Sequence, residues 1–361
     1  MNVIILLLAL VLIQSVCLAV AVLLAARTAA APAVDQDRAD DRVYTPGGPR
    51  RRDQVHEVAP GQPVEHGVVN HALRNRRPAS ARELERNLPP DFVITPGGPR
   101  HRSRVHQVES HEAVVSGPAG LHILDTLTGS ARGLPAPEPE DGANVVSELG
   151  TGWIAYAGWS NGTGSSITSF STTWTVPPGP SDIGNQLIFL FNGIENYGAN
   201  FGILQPVLQW GTSQAGGQPA WMVASWYVAH DGTALHSPLV PVKPGDTLTG
   251  VMTLAGVNRA PGAPTTFDYH CVFEGMPRTA LAVRNINELY WCNQVLEAYR
   301  VTGCGEYPDT PSTAMKSIAI RTGAATPAIL WAPVNEVTDC GQHAVVVSNS
   351  STDGEVDLFF R

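Results

Sequence analysis

From residue 146 onward, the chain is a succession of short segments rich in Trp, Tyr, Val, Ile and Thr, with turn residues between them. One of them, SITSFSTTWTVPP, places Phe170, Trp174 and Val176 on the same side of an extended strand. No stretch shows sustained helical periodicity with capping residues. Many short strands with regular turns predict an all-β domain, a sandwich or a barrel, over residues 146–361.

Two of these strands carry polar residues on faces that are otherwise apolar. Alternation in residues 201–210 places Gln205 beside Val207, and alternation in residues 288–300 places Glu297 beside Val295 and Tyr299. Burial among such neighbours should raise the pKa of a carboxyl, and an amide can both donate and accept a hydrogen bond. The pair therefore indicates an acid-optimum hydrolase.

Charge is distributed unevenly along the 361 residues. Residues 1–145 hold 15 of the 23 Lys and Arg residues and 7 of the 11 His residues, whereas the remainder holds 8 basic and 16 acidic residues, a net charge of −8. An excess of carboxylates with few cations suits a protein that works in acid. It argues against a nucleic-acid partner.

The N-terminus is apolar and uncharged over residues 1–26, and the small-residue run ARTAAAPA follows. This pattern is typical of a signal peptide, here residues 1–31, and predicts a secreted, extracellular protein. The alternative is an uncleaved membrane anchor formed by residues 4–26, which would leave the protein facing outward.

Residues 32–145 lack long apolar runs and contain a duplicated TPGGPR motif. The stretch RVYTPGGPRRRDQVHEV, residues 42–58, recurs as FVITPGGPRHRSRVHQV, residues 92–108. We expect either a solvated linker or a pro-segment of low structure whose Arg and His residues lie on the acidic domain. The stretch LPAPEPEDG, residues 134–142, has the composition of a hinge open to proteolysis.

Four cysteines remain after the signal peptide, Cys271, Cys292, Cys304 and Cys340. An even number in an exported chain favours two disulfides, for which three pairings exist. A Cys292–Cys304 bond would bracket Glu297. The spacing matches no zinc pattern, so we predict no metal and no cofactor.

Two other chemistries compete with this interpretation. The sequence Gly158-Trp159-Ser160-Asn161-Gly162 matches a nucleophile elbow, but that elbow requires an α/β sheet. A carbohydrate-active or lectin-like sandwich would use paired carboxylates or aromatic platforms. The candidates for those roles are Glu195, Glu274, Glu288, Glu297, Trp210, Trp221, Trp226 and Tyr227.

Several short motifs, in order, resemble the glutamic peptidase (eqolisin) family. They are Trp174-Thr175-Val176-Pro177, Phe191-Asn192-Gly193-Ile194-Glu195, Ile203-Leu204-Gln205, Ala224-Ser225-Trp226-Tyr227, Gly245-Asp246 and Val295-Leu296-Glu297. The resemblance covers about residues 150–325. It implies a concanavalin A-like β-sandwich (jelly roll) of two antiparallel sheets, an N-terminal pro-segment, acid-pH endopeptidase activity and a catalytic pair at Gln205 and Glu297.

The chain departs from the family pattern beside this pair. Glu195 stands where the family has Asp, while Ser225 and Asn293 stand where it has acids. We expect Glu195 to orient the pair, and Trp226, Tyr227 and Trp210 to bind substrate. The predicted protein is a monomer acting on polypeptides.

Overall fold

The computed structural model describes residues 90–134, 152–197 and 201–361, and of the preceding chain only two strands, residues 42–45 and 48–51. The expected signal peptide or anchor and residues 135–142 of the expected hinge lie outside the described residues. Within them, no helix is long and apolar enough to cross a membrane.

Strands dominate the described chain. The eight strands before residue 134 are β1 (Arg42–Thr45), β2 (Gly48–Arg51), β3 (Phe92–Thr95), β4 (Gly98–His101), β5 (Val105–Gln107), β6 (Glu112–Gly117), β7 (Gly120–Asp125) and β8 (Ala131–Gly133). Those that follow are β9 (Trp153–Ser160), β10 (Ile167–Thr175), β11 (Leu187–Asn196), β12 (Gly202–Ser213), β13 (Gly216–Ala229), β14 (Ala234–His236), β15 (Val240–Pro241), β16 (Thr247–Asn258), β17 (Thr266–Phe273), β18 (Met276–Ile286), β19 (Trp291–Tyr299), β20 (Ser312–Thr322), β21 (Ala332–Asn335), β22 (His343–Ser348) and β23 (Gly354–Phe359). The described helical turns are short 3-10 turns at Arg102–Arg104 and Cys304–Glu306.

The strands form two large sheets, and the predicted all-β sandwich is confirmed. The ten-stranded sheet has the order β22-β23-β20-β10-β16-β17-β18-β6-β7-β8. The nine-stranded sheet has the order β21-β9-β19-β11-β12-β13-β14-β5, with β15 paired to β13. Pairing is antiparallel except where β5 joins β14 and β6 joins β18, both in parallel.

The main core lies between the two sheets. Leu204 and Leu208 of β12 and Leu296 of β19 pack there with Phe170 and Trp174 of the opposite sheet, all fully buried. Each such side chain contributes about 1.5–3 kcal/mol relative to exposure.

A second apolar cluster covers the other side of the nine-stranded sheet, which we call the outer face. It contains Phe189 of β11, Val207 of β12, and Val295 and Tyr299 of β19. Because both sides of this sheet are buried, every residue of β11 is buried, although its sequence LIFLFNGIEN shows no alternation.

The described part of the Arg-rich segment lies on the sandwich. Strand β5 extends the nine-stranded sheet, and β6, β7 and β8 extend the ten-stranded sheet. Strands β3 and β4 form a separate hairpin whose Ile94 joins the outer-face cluster. Short apolar runs suffice here because the sheet edges supply backbone hydrogen-bond partners.

The cysteines pair differently from the Cys292–Cys304 bond that the sequence had suggested. The disulfide joins Cys304 to Cys340, and Cys271 and Cys292 are buried free thiols. Alternation along β19 explains this, since Cys292 faces the inter-sheet core with Leu296 and Ala298.

Candidate functional site

Gln205 and Glu297 both project from the outer face of the nine-stranded sheet. Strand β11 lies between their strands and pairs with β12 on one side and β19 on the other. The odd-numbered residues of β12 and β19 form the outer-face cluster, and Gln205 and Glu297 share that parity. Both side chains are fully buried, as the alternation had predicted.

The Glu297 carboxylate is held by three neighbours. The Tyr299 hydroxyl donates to Oε1 at 2.5 Å and itself accepts from the Gly152 N–H at 2.9 Å. The Gly97 N–H donates to both carboxylate oxygens at 3.0 Å. Burial raises the pKa of Glu297 to about 7, and the Tyr299 hydroxyl, the Gly97 N–H and the Arg100 charge lower it only partly.

The Gly97 N–H belongs to the turn of the β3–β4 hairpin. Gln205 contacts the same peptide group, because its Nε2 donates to the Pro96 carbonyl at 3.1 Å. The peptide bond between Pro96 and Gly97 thus has its carbonyl on Gln205 and its N–H on Glu297. One peptide group therefore bridges the two side chains that the sequence had singled out.

The conformation of the turn explains why this peptide group is available. Thr95 pairs with Gly98, so Pro96 and Gly97 are the two loop residues of the hairpin. Pro at the first loop position and a glycine with φ of 91° at the second satisfy a type II turn. In such a turn the central peptide group takes no part in the bond that closes the turn, so its carbonyl and N–H are free for other partners.

Basic residues of the hairpin segment meet acidic groups of the sandwich. Arg100 is 8% exposed; its Nη2 donates to the Gly97 carbonyl at 3.3 Å and its charge lowers the pKa of Glu297. Arg104 forms an ion pair with Asp231 at 3.3 Å. These contacts agree with the charge asymmetry in the sequence.

Asn293 and Gln205 carry buried side-chain amide atoms without partners among the described residues. Asn293 is paired with Gly193 of β11, and the register of β12 places Gln205 opposite the same glycine. A Cβ on Gly193 would lie 2.5 Å from Asn293 Oδ1, so the glycine leaves the space that Asn293 occupies. Both Asn293 side-chain polar atoms and Gln205 Oε1 lack partners among the described residues.

Glu195 lies on the same face but is not joined to the pair by hydrogen bonds between described residues. It pairs with Ile203 and Trp291 and is 5% exposed. Burial raises its pKa well above the ordinary value, and the nearby Glu297 charge adds to the effect. Glu297 therefore acts on Glu195 through its charge.

The three aromatic residues expected to bind substrate occupy different places. Trp226 lies on the outer face, with its ring centroid 4.7 Å from that of His236. Tyr227 and Trp210 pack in the inter-sheet core, which corrects the expectation for both. Alternation is the cause, because Tyr227 follows Trp226 directly and Trp210 follows the outward-facing Gln209.

Of the residues considered for the competing chemistries, Ser160, Glu274 and Glu288 are separated from Gln205 and Glu297. Ser160 ends strand β9, and no helix follows it. Glu288 lines an open depression with Trp159 and Tyr290 that includes neither member of the pair. Glu274 lies in the turn between β17 and β18, in the opposite sheet.

Of the residues around Glu297, alternation predicted Tyr299, whereas Gly97 and Arg100 were not predicted. Tyr299 stands two residues after Glu297 and so shares its face, but its hydrogen bond to the carboxylate was not predicted. The TPGGPR repeat marked the turn as unusual. Nothing in the sequence connects that turn to a carboxyl 200 residues later.

Comparisons with known proteins yield structural likeness alone. No protein-family model and no curated protein sequence matches the chain. Scytalido-glutamic peptidase, solved with a peptide-based transition-state analog, is 12% identical with a TM-score of 0.35, over 57% of this chain and 97% of that one. SCP-B, an eqolisin-family peptidase in complex with the tripeptide Ala-Ile-His, is 13% identical with a TM-score of 0.33, over 58% of this chain and 98% of that one. At these values the likeness indicates a distant relationship in fold and carries no information about activity.

Proposed function

We propose that this protein is a secreted endopeptidase that hydrolyses polypeptides with Gln205 and Glu297. The observation that supports the proposal is the Pro96–Gly97 peptide group, whose carbonyl accepts from Gln205 and whose N–H donates to Glu297. A pair that can hold a peptide group in this way contacts both ends of the bond that a peptidase breaks.

The mechanism assigns one role to each side chain. Glu297 as a carboxylate takes a proton from a water that attacks the carbonyl carbon, then transfers that proton to the leaving nitrogen. Gln205 donates its amide N–H to the oxyanion that forms. The carbon–nitrogen bond then breaks, giving a carboxylic acid and an amine without a covalent intermediate. Trp226 lines the substrate site, and Glu195, on the same face of the sheet, orients the pair.

Activity in acid requires the hairpin to leave. With the hairpin in place, a pKa of about 7 keeps Glu297 protonated in acid, where it is no base. Desolvation is the largest cause of that pKa, so water entering the opened site should lower it toward its ordinary value near 4.5. By the same linkage, protonation of Glu297 favours the closed state. Release in acid must therefore come from other charges.

We infer that those charges are the Arg and His residues of the Arg-rich segment and the carboxylates of the acidic domain. Residues 32–145 inhibit at neutral pH, where the domain carries a net charge of −8, from 8 basic and 16 acidic residues. As the pH falls, the attraction weakens because neutralisation of the domain's carboxylates dominates, while the charged histidines add self-repulsion within the segment. Cleavage within residues 134–142 would make the release permanent.

The test is cleavage of denatured protein by the full chain after incubation at pH 3–4. We expect cleavage that resists pepstatin, because an amide and a carboxyl do not form the carboxyl pair that this inhibitor binds. Glu297→Gln and Gln205→Ala should abolish it, whereas Glu274→Gln, in the opposite sheet, should not. Absence of hydrolysis at any pH, together with retention on a glycan array, would favour a lectin-like module instead.

A further inference from the structure

The turn of the β3–β4 hairpin contacts the outer face as a ligand contacts its site. Its central peptide group uses both polar atoms on Gln205 and Glu297. Ile94 packs with Ile203 and Val207 of β12, and Arg100 is buried close to Glu297. The site therefore matches the turn in hydrogen bonding, apolar contact and charge.

Each residue of the turn has a physical reason to be there. Gly97 is required because its φ of 91° is strained for any residue with a Cβ. The ring of Pro96 fixes its own φ at the value that the first loop position requires, and Pro96 has no N–H to leave unpaired in a buried site. The Thr95 hydroxyl donates to the Gly98 carbonyl at 2.7 Å and closes the turn. Arg100 supplies the positive charge that a buried carboxylate needs.

The hexapeptide of the turn, residues 95–100, occurs a second time in the chain. Residues 45–50 are Thr-Pro-Gly-Gly-Pro-Arg, identical to residues 95–100. Strands β1 and β2 begin and end at the same places relative to this motif as β3 and β4, and they form a two-stranded sheet of their own. Of the contacts described, those of Ile94 and Arg104 change, since Tyr44 and Gln54 stand in their places.

We propose that the outer face is a specific binding site for the Thr-Pro-Gly-Gly-Pro-Arg turn, occupied by residues 95–100, and that residues 45–50 are a second ligand for it. The ligand class is a proline–glycine type II turn followed by Pro-Arg. This proposal concerns binding of the turn and does not depend on whether Gln205 and Glu297 hydrolyse peptides. If it does, substrates with a Pro-Gly turn are the ones that the site selects.

The experiment measures binding of a fluorescent peptide with the sequence of residues 42–51 to the full-length chain. Two variants are designed to empty the site, both in a chain that also carries Gly47→Pro, so that residues 45–50 of the same chain cannot occupy it. Gly97→Pro removes the N–H that donates to Glu297, and proline cannot adopt the positive φ of this position. Ile94→Asp places a charge in the apolar cluster of the outer face. Gly120→Ala is the matched control, because Gly120 has a φ of 98° in the β6–β7 turn with no atom within 4 Å of an added Cβ. A peptide with its Pro-Gly pair reversed tests the sequence requirement.

We expect both emptied variants to bind the peptide at least tenfold more tightly than the wild type or Gly120→Ala, and to ignore the reversed peptide. Adding Glu297→Gln or Gln205→Ala to an emptied variant should weaken binding at least tenfold. Equal binding to all chains, equal binding of both peptides, or no binding to a folded emptied variant would overturn the proposal.

A second measurement needs only the wild-type chain. An excess of the peptide should accelerate hydrogen exchange in residues 92–101, because it displaces the hairpin, and the reversed peptide should not. Unchanged exchange at saturating peptide also overturns the proposal. A chain that binds the peptide but hydrolyses no protein would refute the proposed endopeptidase and leave the binding site standing.

Discussion

The Gly97 N–H donates to both carboxylate oxygens of Glu297, each at 3.0 Å, across 200 residues of sequence. The adjoining Pro96 carbonyl accepts from Gln205 at 3.1 Å. The protein thus holds one of its own peptide groups between the two side chains to which we assign catalysis.

Protonation of Glu297 should link stability to pH. Its pKa is about 7 in the folded chain against an ordinary value of 4.5, so its contribution to stability is complete below about pH 4.5 and is lost as the pH rises through 7. The groups around it are the Tyr299 hydroxyl, the Gly97 and Gly152 N–H groups and the Arg100 charge. A shift of this size corresponds to roughly 3 kcal/mol.

Glu297→Gln should remove that loss. Urea midpoints of the wild type and the variant, measured at pH 4.5 and pH 8, should show the variant gaining relative to the wild type at the higher pH. Equal pH dependence in the two proteins would mean that Glu297 keeps an ordinary pKa.

Tyr299→Phe should destabilise the site and raise the pKa of Glu297 further. The hydroxyl both donates to Glu297 and accepts from the Gly152 N–H, so its loss leaves the Gly152 N–H unpaired, at about 1–3 kcal/mol, and leaves Glu297 with the Gly97 N–H alone. Thermal unfolding and the pH profile of cleavage measure the two effects.

Tyr269→Phe is the matched control for this variant. Its hydroxyl also accepts a backbone N–H, from Leu289 at 3.0 Å, but it lies in the opposite sheet. It should lower stability without moving the pH profile. An identical profile for Tyr299→Phe and Tyr269→Phe would contradict the role of Tyr299 beside Glu297.

Asp231→Asn should loosen the hairpin segment at neutral pH. Its partner Arg104 is 7% exposed, so breaking their ion pair leaves a buried charge unmatched, and we expect a loss of about 1–3 kcal/mol. Hydrogen exchange over residues 92–107 should accelerate. Asp309→Asn, which removes a surface ion pair to Arg361, should have little effect, and comparable acceleration in both variants would refute this role.

The Cys304–Cys340 disulfide should stabilise the folded protein, whereas Cys271 and Cys292, as free thiols, form no cross-link. Cys304 and Cys340 are 36 residues apart, for which a cross-link contributes about 2–4 kcal/mol. Replacing both by Ser should lower the thermal midpoint, and mass spectrometry of the unreduced protein without residues 1–31 should find two thiols. A mass showing no thiols would mean that Cys271 and Cys292 are also bonded.

Local periodicity accounts for what the sequence predicted correctly. Strand alternation placed Gln205 with Val207 and Glu297 with Val295, because a period of two fixes the face once a strand is recognised. The same rule, applied to Trp226 and Tyr227 as neighbours, would have placed them on opposite faces.

Long-range contacts were beyond such reasoning. The pairing of Cys304 with Cys340 and the contact of Gly97 with Glu297 depend on how loops and hairpins fold onto the sheets. No local sequence pattern specifies a contact between residues so far apart in the chain. The repeat showed only that the TPGGPR turn was special.

A double-mutant cycle on kcat/KM for cleavage of a polypeptide in acid tests the central claim most directly. If Gln205 and Glu297 act on the same peptide group, Gln205→Ala should cost about 10²–10³ and Glu297→Gln about 10²–10⁴. The kcat/KM of the double variant should then be little lower than that of the less active single variant, because the effects of groups that act as a unit do not add. Near wild-type activity in either single variant would contradict the account.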